Sequence, residues 1–207
     1  MFQHQLIFLV LHEWTHHVHG HLPDLGRPGT VIFEEIVTSG KVGNLRSQAF
    51  EMDADGYAVY FALSHLMKGP RREQAINLLA CEHAHPDMQD GVLFFSFVMA
   101  IGAMLLVLSP PSVDFSRPHD ETHPLPVVRM DWIMRHASNW CVQNNKSRLV
   151  PMMQRVFQAL MVIVERAVSQ ITPSNDWREQ GEFMKSPFSA AYRRELMAVI
   201  RDQLQAL

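Results

Sequence analysis

The residues best equipped for chemistry lie in one stretch, Val10-Leu11-His12-Glu13-Trp14-Thr15-His16-His17-Val18-His19-Gly20-His21. His12 and His16 are four positions apart. On a helix this spacing puts both imidazoles on one face, one turn from each other. Two nitrogen ligands on a rigid face are half of a tetrahedral zinc site. Glu13, beside the first of them, is placed to take a proton from a water at the metal without itself being a ligand. Zinc lowers the pKa of such a water to roughly 7, so a carboxylate can complete the nucleophile. The chain has 12 histidines in 207 residues, so His-Glu-x-x-His alone also arises by chance. The motif carries weight only with a third ligand downstream.

Glu51-Met52-Asp53-Ala54-Asp55 supplies a candidate. Glu51 and Asp55 share a face at one-turn spacing. Glu51 suits the third ligand position. Asp55, one turn on, can accept a hydrogen bond from a ligand imidazole and fix its tautomer. Ala54 is small and lets this helix approach the first closely. An acidic helix N-terminus, where carboxylates suit the dipole, is the plainer alternative. His21, just past Gly20, is a candidate to back the ligands without binding metal. His17 and His19 project away from the ligand face, toward solvent or a hydrogen bond. His83 and His85 read as a polar loop.

His12-Glu13-x-x-His16-x-x-x-Gly20-His21 followed by Glu51-x-x-Ala54-Asp55 resembles the gluzincin metallopeptidases of the HtpX/Oma type, and in form their soluble Lit-like phage-exclusion branch. Thr122-His123-Pro124-Leu125-Pro126-Val127-Val128-Arg129 looks like a third element of that family, a His-Pro before a helix that bears an Arg. The resemblance covers about residues 6–63 and 119–133. It implies one Zn²⁺ per chain held by His12, His16 and Glu51, with Glu13 as general base and Asp55 behind the ligands. It also implies that His123 stabilises the oxyanion or orients the substrate, and that Arg129 anchors the His123 loop. His119 is a weaker alternative to His123.

Eleven residues precede His12, and the family's zincin domain carries a β-sheet there. The expectation is a mainly α, zincin-like domain lacking most of that sheet. The apolar run Leu6 to Leu11 is short, has no basic flank and leads into the metal motif, unlike a signal peptide. The net charge is −3, and no basic block stands out to bind nucleic acid. Cys81 and Cys141 form no metal pattern and no disulfide framework, which fits a reducing, cytoplasmic setting.

Elements able to position these residues can be read from periodicity and breakers. Helices are expected over 2–19, 47–68, 71–82, 91–109, 126–143, 150–170 and 190–205. Residues 30–37 lean to helix, while 39–44 read as a turn and 172–187 as irregular. Gly91 to Ser109 has 19 residues and no charge, enough to span a membrane by length. A single span would separate the two halves of the site, so a buried core helix is preferred. The domain organisation expected is 1–143 as the metal-binding domain around that helix, with 144–207 a helical extension packed on it.

The resulting expectation is a zinc endopeptidase acting on protein or peptide substrates. Three alternatives stay open: a non-catalytic zinc-binding module or truncated pseudopeptidase, a membrane-associated quality-control peptidase, and a helical interaction protein without metal.

Overall fold

The computed structural model describes residues 2–21, 41–107, 114–153, 155–156, 159 and 177–204. The fold is mainly helical, with no strand among the described residues. The long helices are α1 (Phe2–Val18), α2 (Lys41–Lys68), α4 (Pro86–Val107), α5 (Pro126–Gln143) and α7 (Pro187–Leu204). The short ones are α3 (Arg72–Leu78) and α6 (Trp177–Lys185). Single 3₁₀ turns occur at Pro118–Asp120 and Ser147–Leu149.

Helix α2 is the axis of the molecule. It packs against α1, α3, α4, α5 and α7. Its 28 residues span roughly 42 Å at 1.5 Å per residue. Its small side chains Ala54, Ala58 and Ala62 are buried, which lets neighbouring backbones come close. The two ends of α2 serve different apolar clusters. Ala58, Leu63 and Leu66 join Phe8, Leu93, Phe97, Ile101, Ile133 and Trp140. Leu45, Ala49 and Met52 join Leu125, Val127, Phe183, Tyr192 and Leu196. Glu51, Asp53 and Asp55 lie on α2 between the two.

Several helix boundaries differ from expectation. Helix α2 starts at Lys41 rather than after a turn over 39–44, because Asn44 spends its amide on the carbonyls of His119 and Asp120 (3.0 and 3.1 Å). Helix α3 stops at Leu78, short of the expected Glu82. Helix α4 starts at Pro86 instead of Gly91. A proline at the first helical position lacks only an N–H that has no helical partner there, so His85-Pro86 opens a helix instead of merely ending one. Asp90 is thereby drawn into α4, where Arg72 and Lys146 pair with it. Residues 177–185, expected to be irregular, form α6, because Phe183 packs against Phe115 and Phe188. Helix α7 begins at Pro187, three residues early, where the Ser186 hydroxyl accepts from the Ser189 N–H (3.0 Å). The helix expected over 150–170 is present at 150–153; much of the remainder, and the segment 30–37, lie outside the described residues. Helix α4 is long and apolar enough to cross a membrane by length and composition, and most of Pro86–Leu105 is buried inside the fold.

The carboxy-terminal helix reaches toward the His123 segment. Tyr192, fully buried, donates from its hydroxyl to Gln48 Oε1 (2.6 Å). Gln48 Nε2 donates in turn to the carbonyls of Pro118 (2.8 Å) and Glu121 (2.6 Å). Tyr192→Phe removes the donor to a buried amide oxygen. We expect a loss of about 1–3 kcal/mol in urea denaturation; an unchanged midpoint would show that this chain of bonds does not hold the segment.

Candidate metal centre

Helix α1 brings His12, Glu13 and His16, and α2 brings Glu51 and Asp55. The segment after the first 3₁₀ turn brings His123, and α5 brings Arg129. His12 and His16 point inward and are 5% and 8% exposed. Their Nε2 atoms lie 3.1 Å apart. Glu51 straddles them, with Oε2 3.4 Å from His12 Nε2 and Oε1 3.3 Å from His16 Nε2. These three residues form a group that could hold a metal ion.

Behind them lies a charged layer. Asp55 is 0% exposed and accepts both arms of Arg129, Nε to Oδ2 and Nη2 to Oδ1, each at 2.8 Å. The same Nη2 lies 3.5 Å from Glu51 Oε2. Asp55 Oδ1 is also 3.0 Å from His12 Nδ1, close enough to pair but off the N–H axis, so this buried nitrogen has no aligned partner. Burial opposes charge on His12, but its close contacts with Asp55 and Glu51 and the field of both carboxylates outweigh it and lift its pKa to about 9. Burial would raise Glu51, yet hydrogen bonds from His12 and His16 and the nearby Arg129 charge hold it well below the usual carboxylate range. Asp55 likewise stays low despite its burial, through Arg129 first and His12 second.

His12 and Glu51 open on a cleft of about 480 Å³. His12, Glu13, Glu51, His123 and Arg129 give it a polar wall; Phe8, Leu9, Met104, Leu105 and Leu125 give it an apolar one. Glu13 is exposed on this cleft. His123 lies half open to solvent, its Nε2 3.9 Å from Glu51 Oε1 and its Nδ1 3.1 Å from the Thr122 hydroxyl. His119 instead pairs with Glu195 (3.1 Å) and meets the Tyr192 ring edge-on, and it is not among the cleft residues. His16 is not among the residues that line the cleft.

The end of α1 explains the placement of His21. Gly20 adopts φ +67°, the left-handed conformation that glycine reaches without a Cβ penalty. The chain folds back, and the His21 N–H donates to the His16 carbonyl (2.9 Å). The His21 ring then stacks on Phe50 (4.3 Å between centroids) and sets its Nδ1 3.2 Å from His16 Nδ1. His21 Nε2 is 3.3 Å from Asp53 Oδ2, and His19 Nδ1 is 2.6 Å from the same oxygen. Sequence reading thus had a reason to suspect His21 but passed over Asp53. Asp53 lies two positions from both Glu51 and Asp55, off their shared face, and of its two partners His21 reaches it only because Gly20 turns the chain. His17 is exposed, and His83 and His85 are largely in solvent.

Removing Arg129 would strip the buried Asp55 of its main counter-charge and leave only His12 beside it. Arg129→Met should cost about 3–5 kcal/mol in urea denaturation of the metal-free chain. Arg129→Lys should recover only part of this, because an ammonium lacks the two-pronged fork. Equal stability of all three chains would contradict the pairing.

No protein-family model, no curated protein and no solved structure matches the chain.

Proposed function

We propose that this chain is a zinc-dependent endopeptidase with a zincin-like site, in which His12, His16 and Glu51 hold one Zn²⁺. The observation that carries the reading is the closeness of the donors: the two Nε2 atoms lie 3.1 Å apart, and Glu51 sets one carboxylate oxygen 3.4 Å from His12 Nε2 and the other 3.3 Å from His16 Nε2. Zinc bonds of roughly 2.0–2.1 Å in a tetrahedron require ligand atoms roughly 3.3–3.4 Å apart. The donor set, two imidazole nitrogens and one carboxylate, is the type that catalytic zinc sites use while leaving a fourth position open. The buried His12 Nδ1 beside Asp55 also fits a ligand whose second nitrogen is oriented by a carboxylate.

Bound zinc supplies a Lewis acid that polarises a substrate carbonyl and makes water more acidic. The chain's own groups do the rest. Glu13, exposed on the cleft, takes the proton of the attacking water and delivers it to the departing amine. His123 donates a hydrogen bond to the oxygen of the carbonyl under attack; such a donor is worth roughly 3 kcal/mol elsewhere. Arg129 and Asp55 keep Glu51 and His12 in place. The apolar wall of Phe8, Met104 and Leu105 limits water around the reacting bond. A non-catalytic zinc module would need the ligands but not a carboxylate on the open cleft, and the position of Glu13 favours the enzyme.

Metal analysis should find one tightly held Zn²⁺ per chain, lost in Glu51→Ala and His16→Ala. Glu13→Gln should keep that metal and lose cleavage of an unfolded protein such as casein. Persistent cleavage by Glu13→Gln would sink the mechanism; a chain that binds no zinc would sink the whole reading.

A pH dependence follows from His12. In the metal-free chain its folded pKa of about 9 exceeds the ordinary 6.5. Its contribution to stability is therefore complete below pH 6.5 and fades as pH rises through 9. Zinc needs the neutral imidazole, so zinc binding strengthens over the same window. The melting-temperature gap between zinc-loaded and chelator-treated protein should widen from pH 6.5 to 9. A gap that stays flat or narrows would show that zinc does not displace the His12 proton.

A further inference from the structure

A second donor set lies beside the first. His19, His21 and Asp53 each offer one ligand atom, and these atoms lie within 4.8 Å of one another. Asp53 is 8% exposed. Both imidazoles address the same oxygen, Oδ2, with His19 Nδ1 at 2.6 Å and His21 Nε2 at 3.3 Å. A carboxylate this far from water calls for a compensating charge, and no lysine or arginine pairs with it among the described residues. Two histidine nitrogens and one carboxylate oxygen again make a zinc-type ligand set. The rings are also held in place. His21 stacks on Phe50, and His19 meets the Tyr57 ring edge-on at 4.4 Å.

We infer that His19, His21 and Asp53 form a second divalent-cation site, and that filling it opposes filling of the first. The inference rests on the reading of His16 as a ligand of the first site. The second site is the weaker of the two. The 2.6 Å contact between His19 and Asp53 is a hydrogen bond, shorter than the ligand spacing of a zinc tetrahedron, so a cation must displace its hydrogen and spread the pair.

Opposition comes from the contact between the two sites. A neutral imidazole that gives Nε2 to a metal carries its hydrogen on Nδ1. With the first site filled, His16 Nδ1–H donates to His21 Nδ1, 3.2 Å away. His21 then carries its own hydrogen on Nε2 and donates to Asp53. A cation in the second site takes His21 Nε2, which moves the His21 hydrogen to Nδ1. Both facing nitrogens would then be donors with no acceptor between them. Each metal therefore weakens the other, and by the same factor.

Titration of the full chain with Zn²⁺ by calorimetry, after chelator treatment, tests this directly. The wild type should take up two equivalents, one tight and one weak. His19→Gln should keep the tight equivalent and lose the weak one; Asp53→Asn serves the same purpose if His19→Gln folds poorly. His16→Ala should lose the tight equivalent and bind the remaining one at least about fivefold more tightly than the wild type binds its second, the low end of ordinary coupling between sites. The double variant His83→Gln, His85→Gln, altered only at exposed histidines, should still take up two. A single equivalent in the wild type at saturating zinc would overturn the second site. So would a weak equivalent that survives His19→Gln or disappears in the His83, His85 variant. Equal weak affinities in wild type and His16→Ala would overturn the opposition. A tight equivalent that survives His16→Ala would instead count against the first-site reading.

Discussion

Asp55 sits wholly out of water in the middle of a helical protein, with Glu51 one turn away and nearly as enclosed. An ionised carboxylate in that position is costly unless another charge meets it with good geometry. Arg129 meets Asp55 through two parallel hydrogen bonds, and the same guanidinium reaches toward Glu51. The pairing requires the start of α5 to lie against the middle of α2. It also requires α1 to lie close against α2, because His12 Nδ1 approaches the same Asp55 oxygen as Arg129. The relative placement of these three helices is therefore tied to compensating buried charge as well as to apolar packing.

The apolar clusters are arranged around that charged layer instead of through it. One cluster gathers α1, α4 and the far end of α2; the other gathers α6, α7 and the near end of α2. Glu51, Asp53 and Asp55 sit where one cluster gives way to the other. A long helix shared by two cores makes a stiff mount, which a metal centre needs if ligands from different helices are to keep separations near 3.3 Å. The carboxy-terminal helices contribute at a distance. Tyr192 holds Gln48, and Gln48 holds the carbonyls just ahead of His123. His123 itself stays half open to solvent on the cleft.

The arrangement of histidines behind the ligands has its own logic. His16 faces Glu51 with one nitrogen and His21 with the other. The direction of the hydrogen bond between the two rings depends on which nitrogen of each is engaged elsewhere. A left-handed glycine makes this contact, since only a sharp reversal at Gly20 returns His21 to the helix it has just left.

The one-turn pairs His12 and His16, and Glu51 and Asp55, were legible in the chain alone, because the 3.6-residue period of a helix places them whatever surrounds it. The mainly helical character, the left-handed stop at Gly20 and the helix over 126–143 were legible for the same local reason. The starts of α2, α4 and α7 and the whole of α6 were not. Each depends on a proline at the first helical position or on contacts made from elsewhere in the fold. The remaining pairings of the buried carboxylates were beyond local reading too. Asp53 pairs with His19 and His21 across 34 and 32 positions of chain, and Arg129 with Asp55 across 74. The choice of His123 over His119 on the cleft was made by Glu195 and Tyr192, which hold His119 elsewhere. Residues on one helix turn are related by backbone geometry alone, whereas groups that meet across such distances are brought together only by the packing of helices around buried charge.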